Sequence, residues 1–151
     1  MGRVVFIGAG PGAADLITLR GARVLAQAEV VLFDALTDPA LRAFAPDANW
    51  VHVGKRGFAD STGQATINAL LVRHAREASL VVRLKGGDPS VFGRLEEELE
   101  ALAAAGIACE VVPGVTAALA AAAETRRPLT RRVTGRSVTL STAMTREGAL
   151  Q

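Results

Sequence analysis

The sequence predicts an α/β domain, a parallel sheet with helices on both faces. Short apolar, β-branched runs alternate along the 151 residues with stretches whose apolar side chains recur at helical spacing. Glycine-bearing turns follow the strand-like runs: Gly8-Ala9-Gly10-Pro11-Gly12, Gly54-Lys55-Arg56-Gly57, Lys85-Gly86-Gly87-Asp88-Pro89 and Pro113-Gly114. No repeat, low-complexity tract or linker breaks the alternation. Half the residues are hydrophobic, which excludes a disordered chain and suffices for a core at this length.

Taken in order, Arg3 to Ile7 reads as a strand and Gly8 to Gly12 as the turn after it. Leu16, Leu19, Ala22 and Ala26 then recur at helical spacing. Glu29 to Phe33 is a second strand ending in Asp34, Pro39 to Phe44 a short helix, and Trp50 to Val53 a third strand. Ser61 and Gln64 have capping-box spacing for a helix from Thr62 to Ala78. His74 on that helix is expected at the surface. Leu80-Val81-Val82 opens a buried parallel strand, and Leu95 to Ala105 is helical, with Gly106 placed to end it. Ala108 to Val112 is the next strand. Val115-Thr116-Ala117-Ala118 starts a helix of small residues, and Ser137 to Leu140 reads as one more strand.

The bulk properties exclude several classes. A formal net charge of +2 is too small to argue for a nucleic-acid partner, and none is expected. The single cysteine, Cys109, excludes a disulfide framework and a cysteine metal cluster, and no metal site is expected. Its apolar setting predicts a small buried hydrophobe. Val4 to Ile7 runs straight into glycines, unlike a signal peptide, and Val115 to Ala123 is too short to cross a bilayer. A cytoplasmic protein with no membrane partner is expected.

The chemistry concentrates between Arg83 and Arg94. Lys85 to Pro89 falls at the carboxyl end of a strand, where open α/β sheets bind ligands. The adjacent glycines let backbone approach a ligand, and a lysine and an aspartate flank them. Lys85 and Lys55 are the chain's only lysines, each beside a glycine after a strand. The Gly8 loop is an imperfect dinucleotide fingerprint, because Pro11 and Gly12 interrupt it. Asp34 ends its strand where a Rossmann domain holds a ribose hydroxyl; it could equally act as a base in a cleft or cap the next turn. Arg126, Arg127, Arg131, Arg132 and Arg136 form a basic cluster, either solvated or suited to a polyanion.

Taken together, these loops resemble the uroporphyrinogen-III C-methyltransferases of the tetrapyrrole methylase superfamily. The matching stretches are Val5 to Thr18, Val30 to Asp34, Val53-Gly54-Lys55-Arg56, Arg83 to Arg94, Val111 to Ala118 and Pro128-Leu129-Thr130. Arg83-Leu84-Lys85-Gly86-Gly87-Asp88-Pro89 is the most specific of them. The resemblance implies transfer of methyl groups from S-adenosylmethionine to ring carbons of uroporphyrinogen III, giving precorrin-2 for sirohaem and cobalamin. It implies a cofactor site lined by Pro11, Gly86, Gly87, Asp88, Val91, Thr116 and Ala117. Asp34 would match the proton acceptor and Lys55 the proton donor. The anionic tetrapyrrole would meet Arg56 and the arginine cluster.

The chain departs from the family pattern at several points. Ala13-Ala14 replace Asp-Pro, Phe33-Asp34-Ala35 replace Tyr-Asp-Arg, and Ser90 replaces Phe. Leu95-Glu96 replace Gly-Gly, Arg131 replaces a histidine, and Ala143-Met144 replace Gly-His. The family also has two domains with the cofactor between them. Residues 1–135 would be the N-terminal α/β domain and residues 136–151 the start of a second domain, largely absent. On that basis the chain is expected to self-associate as a homodimer through an apolar patch near Ser137 to Leu140, and to bind the cofactor weakly or not at all. Two other functions stay open on the residues alone. One is a nucleotide-binding oxidoreductase domain resting on the Gly8 loop and Asp34, and the other is a non-catalytic dimerising module.

Overall fold

Each apolar run carries backbone donors and acceptors that must pair once buried, and five of the runs pair with one another. The structure, a computed structural model, describes residues 2–53 and 60–143. Its strands are β1 (Arg3–Gly8), β2 (Val30–Phe33), β3 (Asn49–His52), β4 (Leu80–Lys85) and β5 (Cys109–Val112). They form one sheet in the order β3-β2-β4-β1-β5, and every pairing is parallel. The helices are α1 (Leu19–Leu25), α2 (Asp60–Glu77), α3 (Leu95–Ala104) and α4 (Ala117–Thr125).

Strand side chains alternate between faces, and both faces are covered as expected. Val5, Ile7, Val31, Val82 and Leu84 pack with Leu25 of α1 and Leu41 on one side. Val4, Phe6, Leu32 and Val81 pack with Leu71 of α2 and Leu102 of α3 on the other. The central strands therefore read as nearly unbroken apolar runs, and every residue of β4 is buried. Gly106 ends α3 as expected, with φ of +69° and the Ile107 N–H donating back to Leu102 O at 2.9 Å.

Several expectations are corrected. The first helix is shorter than its periodicity implied: Ala14–Leu16 is a single 3₁₀ turn, and α1 begins only after Thr18, whose hydroxyl accepts from the Gly21 N–H at 2.9 Å. Leu16 and Leu19 are exposed, and α1 presents Gly21 and Leu25 to the sheet instead. Ser137 to Leu140 forms no strand, because no described segment pairs with it; Val138 and Leu140 stay about half exposed. Cys109 is exposed, because it lies on the outermost strand, whose first three residues no described element covers. Helix α2 starts at Asp60, and the Gln64 carboxamide donates forward to Asn68 Oδ1 at 2.7 Å; the Ser61 side chain lies outside the described residues.

His74 is buried, not at the surface. It shares the inner stripe of α2 with Leu71 and Ala75, at the helical spacing that faces the sheet. Its Nε2 has no hydrogen-bond partner, and burial, with Arg73 adding to it, holds its pKa below the ordinary value. Below about pH 6.5 the unfolded chain therefore takes up a proton before the native state does. Stability should fall as pH drops from there through the lower native pKa. Urea unfolding across that window should show the decline, and His74→Leu should flatten it.

Candidate active site

Because all five strands run the same way, the loops after β1, β2, β4 and β5 leave from one edge of the sheet. There they are tied together by backbone. Gly10 and Gly87 exchange both hydrogen bonds, at 3.2 Å and 2.7 Å, with φ of +83° and +63°. That left-handed geometry is open to glycine at little cost. The Ala9 N–H also donates to Lys85 O at 2.7 Å. The Gly8 and Gly114 backbones pass so closely that a Cβ on Gly8 would lie 2.6 Å from Gly114 Cα.

Three aspartates brace these loops. Asp88 Oδ1 accepts from the Gly114 N–H at 2.9 Å and Oδ2 from the Ser90 N–H at 2.8 Å, so it joins the β4 and β5 loops. Asp38 accepts from Ala14 N–H at 3.1 Å and from Ala40 N–H at 2.9 Å, joining the first loop to the segment after β2. Asp34 Oδ1 accepts from the Leu36 N–H at 3.0 Å, and its carbonyl accepts from the Thr37 hydroxyl at 2.8 Å. The Asp34 carboxylate is thereby aimed by a local turn.

Between the loops lies a cleft of about 520 Å³, within the size range of small-molecule sites. Its floor is charged. Arg83 and Lys85 occupy alternate positions of β4 on the side facing α3, where Val81 before them is apolar core. Both meet Glu98 of α3, which is fully buried. Arg83 Nε donates to Glu98 Oε1 at 2.7 Å and Lys85 Nζ donates to Oε2. Burial, and next the Arg83 guanidinium, push the Lys85 ammonium below its ordinary pKa; Glu98 and Asp34 pull it back up. Two cations thus share the one buried carboxylate, and Asp34 faces Lys85 from the cleft wall.

The Gly8 loop does not do what a dinucleotide fingerprint does. The Gly10 N–H is committed to Gly87 O, and a 3₁₀ turn rather than a helix follows the loop. The strand order also differs from the Rossmann arrangement, because β4 stands between β1 and β2. The sequence model of the tetrapyrrole (corrin/porphyrin) methylases matches residues 3–151. The chain belongs to this family. A uroporphyrinogen-III C-methyltransferase of Pseudomonas aeruginosa is 50% identical over 97% of this chain and 60% of that protein. A siroheme synthase of Edwardsiella ictaluri is 50% identical over 97% of this chain and 32% of its own length. Among solved structures, a uroporphyrin-III C-methyltransferase of Thermus thermophilus complexed with S-adenyl homocysteine aligns with a TM-score of 0.85 at 44% identity. That alignment covers 99% of this chain and 63% of the other. A cobalt precorrin-4 methyltransferase aligns with a TM-score of 0.80 at 34% identity, over 97% of this chain and 60% of that one. The chain thus spans less than two thirds of each of these relatives.

In this member of the family the cleft gathers Pro11, Gly86, Gly87, Asp88, Val91, Thr116 and Ala117, together with Asp34. Lys55 and Arg56 lie outside the described residues. Asp88 braces two loops, and the Thr116 hydroxyl does not cap α4. Sequence reasoning missed Glu98, Asp38, Leu36 and Phe92. A signal for Glu98 was present: it falls on the same stripe of α3 as Leu95 and Leu102, facing a strand that carries two buried cations. Among the described residues no group of His, Cys, Asp or Glu is placed to hold a metal ion, and no helix is long and apolar enough to cross a membrane.

Proposed function

We propose that this chain is the N-terminal part of an S-adenosylmethionine-dependent methyltransferase that converts uroporphyrinogen III to precorrin-2, for sirohaem and cobalamin. The carrying observation is the convergence of the β1, β2, β4 and β5 loops on one cleft that contains Asp34, in a chain of this family. Residues 1–135 are the first domain and residues 136–151 begin the second. The protein works in the cytoplasm as a homodimer.

S-adenosylmethionine, when bound, supplies an electrophilic methyl group. Gly86 and Gly87 have no side chains to obstruct it, and Val91, Thr116 and Ala117 complete the wall, with Pro11 beside them. Asp88 keeps that wall in shape through its bonds to Ser90 and Gly114. Once a ring carbon of the substrate had taken up that methyl group, the macrocycle would have a proton to lose. Asp34, aimed by its turn, would accept that proton, and Lys55 would donate one to the macrocycle where the ring proton is relocated rather than lost. Lining up carbon and methyl is the larger part of the work, and rigid loops suit it.

The deciding experiment supplies methyl-labelled S-adenosylmethionine and uroporphyrinogen III to a two-domain form of the protein under anaerobic conditions, with calorimetry of S-adenosylhomocysteine and of NAD in parallel. Label should enter the tetrapyrrole, and S-adenosylhomocysteine should bind where NAD does not. Binding of NAD alone would overturn the reading. In that two-domain form, Asp34→Asn should lower methyl transfer on the order of 10²–10⁴-fold with little change in S-adenosylhomocysteine affinity. Unchanged turnover would remove Asp34 from the proton-accepting role.

A further inference from the structure

Two large apolar side chains stand in the open on the walls of the cleft. Leu36 is 76% exposed and Phe92 is 63% exposed, and both line it with Asp34 and Lys85. Both are held on built turns. The Leu36 N–H is bound to the Asp34 carboxylate, buried Thr37 closes the same turn, and a Cβ on Gly86 would lie 3.1 Å from Leu36 Cβ. Phe92 sits between the turn braced by Asp88 and the start of α3, with φ of +52°. A residue with a Cβ adopts that left-handed conformation against a steric cost. A polar residue at 36 and a glycine at 92 would suit the free protein better. Strained backbone of this kind clusters at ligand clamps.

We propose that Leu36 and Phe92 form an apolar clamp on the face of one pyrrole ring of the substrate and hold its reacting carbon against Asp34. The clamp rests on the function proposed above and adds two positioning residues to it. The occupant is the substrate rather than the cofactor because of the turn at Asp34. Leu36 is tied through its own N–H to the Asp34 carboxylate, so a group packed on Leu36 is a group beside the proton acceptor. A pyrrole ring has an apolar face and carries its carboxylates at the edge. That pattern matches two apolar walls above a floor that carries the cationic side chains of Arg83 and Lys85.

The test measures binding of uroporphyrin III, the stable oxidised form of the substrate, and of S-adenosylhomocysteine to the unmodified protein, Leu36→Ala and Phe92→Gly. Uroporphyrin III affinity should fall about 3- to 10-fold in each variant, the range of a lost ring contact, with S-adenosylhomocysteine affinity unchanged. Phe92→Gly should melt at the same or a higher temperature, because glycine accepts the left-handed backbone freely; a merely structural role would lower it. Unchanged uroporphyrin III affinity in both variants overturns the clamp. A loss confined to S-adenosylhomocysteine also overturns it, since the two side chains would then belong to the cofactor wall. If a two-domain form of the unmodified protein binds neither compound, the proposed function falls with the clamp. Binding by the unmodified protein with unaffected variants sinks the clamp alone.

Discussion

Glu98→Gln is expected to destabilise the protein by about 3–5 kcal/mol, the usual cost of stranding a buried charge. Glutamine keeps the shape and some hydrogen bonding, so the loss reports charge rather than volume. Arg83 and Lys85 would be left without an anion in the α3-facing layer, where both are buried. A contrasting pair lies on the surface: Arg3 NH1 meets Glu110 Oε1 at 2.7 Å, with both side chains about half exposed. Glu110→Gln should change stability by no more than about 1 kcal/mol. A triple variant, Arg83→Met with Lys85→Met and Glu98→Leu, should recover much of the loss, because apolar replacements of buried ion clusters are often neutral or better. Urea unfolding of the three proteins checks the ordering. Equal effects at Glu98 and Glu110 would mean that the floor of the cleft is open to water.

The same cluster shows where the sequence was legible and where it was not. Strand and helix alternation is a local signal, and β1, β4, α2 and α3 follow it closely. Loops after parallel strands must share an edge, so the gathering of Pro11, Gly86, Asp88 and Thr116 followed from the fold class once the strands were placed. Strand order was hidden, because β4 inserts between β1 and β2 and no local pattern encodes that. In sequence Glu98 suits a helix start no better and no worse than Glu96 and Glu97, so nothing local singles it out. Its burial depends on which stripe of α3 meets which face of β4, a tertiary fact. His74 failed the same way: it lies away from every glycine loop, while its spacing from Leu71 points inward. Cys109 failed in the opposite sense, because an apolar run does not reveal that its strand is the outermost. Ser137 to Leu140 has a strand's composition but finds no ladder among the described residues.

Gly8→Ala and Gly114→Ala should each cost about 3 kcal/mol or more, at or beyond the upper end of overpacking. A Cβ on Gly8 would meet Gly114 Cα at 2.6 Å, with Gly114 N and Gly87 O both at 2.7 Å. A Cβ on Gly114 would meet Gly8 Cα at 2.7 Å and the carbonyl oxygen of Gly87. Every one of these atoms is backbone, so no side chain can swing aside. Relief requires the loops after β1 and β5 to part, and that strains the Gly10–Gly87 pair of hydrogen bonds and the Asp88 bond to Gly114. The damage should therefore reach the cleft: S-adenosylhomocysteine binding should weaken along with stability. Gly106→Ala separates crowding from backbone strain, since φ there is +69° but a Cβ would meet nothing within 4 Å. It should cost only about 1 kcal/mol and leave binding untouched. Thermal unfolding and calorimetry on the three variants read both quantities. If Gly8→Ala costs no more than Gly106→Ala, the loops are not packed backbone to backbone and the cleft owes its shape to something else.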